Sequence, residues 1–144
     1  MTRVVTLDGG EELQRALRKL SADAQREVGK EVNAAGIAIR TDIQKAMHRS
    51  TPTGKVYTKP SGIKHRASAP NEPPAVDTGR LVNSITFRST GPLSAEVFSD
   101  VEYGPMLEFG TMRIIQRPAW VPAVERIQPK FIARVIDAIR RSAP

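Results

Sequence analysis

Two histidines, His48 and His65, border or sit within a run of cations that includes Lys55, Lys59, Lys64 and Arg66. A histidine pair among cations is a set that could cleave RNA, one ring as general base and the other as general acid. Nothing nearby supplies a nucleophile or a fixed oxyanion site, so the same residues read more simply as a solvated basic loop. Metal chemistry lacks donors, because there is no cysteine, no His-x-x-x-His and no clustered carboxylate spacing. The glycine strings are equally plain. Leu7-Asp8-Gly9-Gly10 and Val76-Asp77-Thr78-Gly79 lack the lysine and spacing of a phosphate loop, and Glu108-Phe109-Gly110-Thr111 lacks the strand and aspartate of a kinase metal-binding turn. Each reads as a turn, and no cofactor is implied.

The cations themselves carry more meaning. Net charge is +7, yet residues 1–42 are neutral with seven basic and seven acidic side chains, and residues 43–71 hold six basic side chains and no acid. Residues 72–112 return −4 and the remainder +5. A single-signed segment with Tyr57 inside it could contact nucleic-acid phosphate and stack on a base, without reading sequence. Alternating basic and acidic blocks also suit head-to-tail contact between identical subunits.

The elements that must position these groups follow from hydrophobic period. Arg3 to Leu7 is a short β-like run ending at the Asp8-Gly9-Gly10 turn, and Leu13, Leu17 and Leu20 predict a first helix behind Glu11 and Glu12. Ser21 or Asp23 caps the next. From Ala24 to Met47, Val28, Val32, Ala35, Ile39, Ile43 and Ala46 recur at steps of three and four, which predicts a long amphipathic helix. Residues 49–76 show no sustained apolar period, being dense in Pro, Gly, Ser, Thr and Lys, and read as an extended basic loop with too little apolar surface to order itself.

Beyond the loop, Ile85 and Phe87 alternate with polar neighbours, as do Ala95, Val97 and Ser99 with Glu96, Phe98 and Asp100, and Thr90-Gly91-Pro92 lies between. That pattern is a hairpin. Tyr103 to Phe109 predicts one or two helical turns closed by Gly110 as a left-handed cap. Val121, Val124, Ile127, Phe131, Val135 and Ile139 predict a last helix with Pro122 in its first turn and a kink or restart at Pro129. Tyr103, Phe109 and Trp120 lack a converging polar array and read as core or subunit interface. The whole is α+β in a single domain over residues 1–144: a long amphipathic N-terminal helix, a small antiparallel sheet with a hairpin, a C-terminal helix and the basic loop. With no cysteine, no apolar leader and no run near the roughly 20 residues of a membrane helix, a soluble protein of a reducing cytoplasm is expected, with no membrane partner.

Three strings in order carry a resemblance. Asp77, Thr78, Gly79, Arg80, Leu81, Ser84 and Ile85 form the first; Tyr103, Glu108, Phe109, Gly110 and Thr111 the second; Arg117, Pro118, Trp120, Pro122 and Ala123 the third. From about Ala24 to the end the chain resembles the tail-component family of long-tailed bacteriophages. It departs from that pattern at Gly104-Pro105, where a small residue continuing a helical turn is expected. The resemblance implies a non-enzymatic virion protein, a tail-completion or neck component forming a ring where tail meets head. Its partners would be its own copies, head-completion proteins, tail-tube or tail-terminator proteins, and the DNA passing through, with Lys55, Lys59, Lys64 and Arg66 reaching either that DNA or a neighbouring subunit. A tail terminator or other minor tail protein is the near alternative, and a small nonspecific nucleic-acid-binding protein the distant one. On this reading Glu108-Phe109-Gly110-Thr111 shapes a turn and a subunit contact, with Glu108 paired to an arginine of the neighbouring copy.

Overall fold

A computed structural model describes residues 2–7, 15–16 and 18–143, with residues 2–7 as backbone alone. The predicted turn at Asp8-Gly9-Gly10 and the helix face through Leu13 and Leu17 lie outside the described residues. The long helix, α1, spans Ala22–Arg49. Ser21 starts it by accepting the Ala24 amide on Oγ at 3.2 Å, with Asp23 in the first turn and His48 and Arg49 in the last, all matched to the helix dipole. The expected stripe is buried, running through Val28, Val32, Ala35, Ile39 and Ile43 into Met47. A second contact line was not foreseen. A Cβ on Gly29 would stand 2.4 Å from the Pro92 carbonyl oxygen and one on Gly36 2.5 Å from the Phe87 ring, so two missing side chains let α1 lie directly on the sheet.

That sheet has three antiparallel strands in the order β1 (Thr2–Leu7), β5 (Ser94–Ser99), β4 (Thr86–Gly91). The predicted hairpin is present in the register Phe87↔Val97 and Arg88↔Glu96, and the amino-terminal run adds the third strand. Because β5 is central, its polar face is covered too. Glu96 and Phe98 are buried along with Ala95, Val97 and Ser99, and Arg88 shields both, pairing with Glu96 at 2.7 Å while its guanidinium lies 5.1 Å from the Phe98 ring centre. Ile85 is not part of β4. It closes the short helix α2, Arg80–Ser84, and is buried in the core.

The last helix, α4, spans Trp120–Arg141. Asp42 pairs with Arg126 and Glu31 approaches Arg134 at 4.0 Å, so α1 and α4 run antiparallel. Pro122 sits in its first turn as expected, but Pro129 neither stops nor restarts it. The proline ring lies on the exposed side of the helix, where solvent can reach the carbonyl that loses its amide partner. The core forms around α1 in two clusters joined by Phe87: one holds Ile39, Ile43, Leu81, Val97 and Trp120, the other Val28, Val32, Ala95 and Ala138.

Candidate functional site

Residues 49–76 are not structureless. Val56–Thr58 (β2) and Lys64–Arg66 (β3) pair antiparallel as an arm of their own, in the register Val56↔Arg66, Tyr57↔His65 and Thr58↔Lys64. What the segment lacks in apolar period it replaces with two acids from its far end. Glu72 accepts the amides of Thr53 at 3.0 Å and Ala69 at 2.8 Å and the Thr53 hydroxyl, closing the base of the arm. Asp77 accepts from Lys59, lies 3.6 Å from His65 Nδ1 and 3.4 Å from the Tyr57 hydroxyl, and so holds one face. The Lys59 hydrogen bond and the His65 ring hold the Asp77 carboxyl below its ordinary range, and the Thr53 hydroxyl with two amides does the same for Glu72. Tyr57 packs edge-on against His65 with ring centres 5.3 Å apart. His48 lies in the last turn of α1, while His65 is engaged with Asp77 and Tyr57.

The Asp77-Thr78-Gly79 string turns the chain from this clamp into α2. Thr78 Oγ1 accepts the Arg80 amide at 3.3 Å, and Gly79 takes φ 81°, a conformation that resists any side chain. Leu81 then enters the core beside Met47, and Ser84 donates to the Leu81 carbonyl at 2.6 Å and meets the buried Ser99 hydroxyl at 2.6 Å. An open cleft of about 460 Å³ lies along this string, lined by Met47, Val76, Leu81, Tyr103 and Leu107 with Asp77 and Arg80 among its polar residues.

The second and third strings meet at one buried carboxylate. Glu108 belongs to α3, Gly104–Phe109, where Pro105 sits in the first turn, so the Gly-Pro departure from the expected pattern is compatible with a helix start. Its side chain turns inward, 2 % exposed, and receives the amides of Ala119 at 2.7 Å, Trp120 at 3.0 Å and Val121 at 2.7 Å. This corrects the expected pairing with a neighbour's arginine. The residue before α4, Ala119, has no side chain that could accept these amides, so the acid reaches them from α3 and meets the positive end of the helix dipole. Trp120 is core, 1 % exposed, not interface.

Between the two, residues 110–117 form a fastened loop. Gly110 has φ 75° and ψ 176°, an extended positive-φ geometry and not the left-handed cap expected, and a Cβ there would lie 2.9 Å from the Ile114 oxygen. Thr111 closes the turn, its amide donating to Ile114 at 2.8 Å and its hydroxyl accepting from Arg113 and Ile114. The Asn71 amide donates to Gln116, and Arg117 donates to the Ser68 carbonyl at 3.1 Å, tying the loop to the foot of the arm. Pro118 follows, half-buried, leading into α4.

Sequence reasoning missed Glu72 and Asn71, the latter at φ 66°. The signals were present: Glu72 is the first acid after six cations, and asparagine tolerates positive φ better than most residues. It also missed what the loop displays. Met106, Phe109, Met112 and Ile115 are exposed, Met112 fully. Lys55, Lys64 and Arg66 are exposed on the arm, whereas Lys59 is taken up by Asp77. No described helix is long and apolar enough to cross a membrane. Chemically the region offers rigid apolar contact and cations.

A family model described as "Bacteriophage HK97-gp10, putative tail-component" matches residues 11–110, a stretch that includes α1, the arm, α2, the β4–β5 hairpin and α3 and ends at Gly110. No curated protein and no solved structure matches the chain.

Proposed function

Since the chain belongs to the HK97-gp10-like family of bacteriophage tail components, we propose that it is a non-enzymatic structural subunit that assembles with its own copies into a ring at the head–tail junction. There it completes the tail, joins it to the head and surrounds the path of the DNA. The ring's neighbours would be head-completion proteins on one side and tail-tube or tail-terminator proteins on the other, in a particle assembled in the cytoplasm of the host. One observation carries the reading: the charged and hydroxyl residues Asp77, Thr78, Glu108 and Thr111 of the recognisable strings are occupied within the fold, Asp77 by Lys59 and the other three by backbone amides, while Met106, Phe109, Met112 and Ile115 are left as an uncovered apolar ridge. A fixed apolar surface is suited to assembly. The exposed cations of the arm support a further, sequence-independent contact with DNA.

Deleting the gene from its phage provides the test. Filled heads and separate tails of normal length should accumulate, and purified protein added to such an extract should restore joined particles. Tails of uncontrolled length would favour the tail-terminator reading instead. Normally joined particles without the protein would overturn both.

A further inference from the structure

We infer that the outer face of the β2–β3 arm of one copy docks on the ridge of residues 106–115 of a second copy, an assignment that rests on the proposed self-assembly and names its surfaces. Tyr57 and His65 face Asp77, so by strand alternation Val56, Thr58, Lys64 and Arg66 face away from the clamp. That outer face has an apolar centre, Val56, with the exposed Ile63 at its turn, and a rim of cations. The ridge has an apolar centre as well, in Met106, Phe109, Met112 and Ile115. Close to it in sequence, Asp100 and Glu102 are exposed and make no ion pair among the described residues, while of the two nearby cations Arg117 is turned to the Ser68 carbonyl and Arg113 is exposed.

The partner that fits is therefore this chain itself. Cations around one apolar patch meet acids beside another, which steers the encounter and fixes register while the apolar centres are desolvated. The two patches differ, so the contact is heterologous, the kind of contact that builds a ring when its rotation closes on itself. DNA alone would engage the cations but leave Val56, Ile63 and the whole ridge in water. The fastening of residues 110–117 fits this role, because a ridge already held in place loses little freedom when it is covered.

The absence of native cysteine permits a direct test in purified protein and in assembled particles. Val56→Cys and Met112→Cys are made separately and treated with a short thiol cross-linker. An equal mixture of the two should give a covalent dimer that neither gives alone, and failure to form it in either setting overturns the contact. A charge swap gives the second arm. Lys64→Glu with Arg66→Glu in one variant, and Asp100→Lys with Glu102→Lys in another, should each weaken association about tenfold or more, and mixing them should restore it because each arm then meets an opposite ridge. Association untouched by both swaps would reject these surfaces while leaving the ring standing. A wild-type protein present as a monomer in the particle would reject the ring as well. If the arm swap abolishes duplex-DNA binding and leaves association intact, the arm belongs to nucleic acid and the inference falls.

Discussion

The basic arm and the start of α4 are both held by acids, but the acids work in different surroundings. Glu72 and Asp77 grip the arm from partly exposed positions, where water and salt screen them. Glu108 grips the start of α4 from inside, where no water competes for the three amides it accepts. The same functional group thus makes an adjustable clamp in one place and a rigid bracket in the other.

The largest test of that contrast is Glu108→Ala. It leaves three helix-start amides without their acceptor, two of them in a fully buried position, and should cost about 3–5 kcal/mol, lowering the melting temperature by roughly 10 °C. A melting temperature near that of the wild type would return Glu108 to the subunit interface. Gly110→Val comes next. It forces a β-branched side chain into positive φ and against the Ile114 carbonyl, a strain of about 2–3 kcal/mol that calorimetry on the isolated protein should detect.

Asp77→Asn should have the smallest global effect and the most local one. Melting should barely move, while trypsin should cut faster at Lys55, Lys59, Lys64 or Arg66 and no faster within α1. Acid should act similarly. The folded-state pKa values of Asp77 and Glu72 lie below their ordinary 3.8 and 4.5, so the clamps contribute fully above those values and lose their contribution as pH falls below them. Protease susceptibility of the arm should therefore rise in that acid range before the core melts. Equal cutting in α1 and the arm would erase the proposed difference between the two regions.

The same contrast explains what the sequence made legible. Val28 through Ile43, the β4–β5 alternation and the α4 series each report a core-facing period within one element, and a period survives without knowing the partner. The arm does not work that way. Its order comes from Thr53–Glu72 and Lys59–Asp77, partners 19 and 18 residues apart, beyond any periodic window. Glu108 was misread for a related reason: a carboxylate on a short helix can serve an arginine or a helix start, and its three amides lie 11 to 13 residues ahead. Trp120 gave no periodic clue because it is the first residue of its helix. The restart considered at Pro129 does not occur, because its exposure, which lets the helix run on, depends on which side of α4 meets the core.

The borrowed start of α4 also limits how the chain can be taken apart. A helix that carried its own capping residue could be exchanged between related chains by crossing over anywhere in the preceding loop. Here a crossover between Gly110 and Pro118 would deliver α4 from one parent and the acid that starts it from another, and any mismatch in loop length would withdraw the acceptor from the amides at Ala119, Trp120 and Val121. A crossover before Glu108 or beyond Val121 keeps the acid with the amides it serves, so the stretch from Glu108 to Val121 has to be exchanged as one unit.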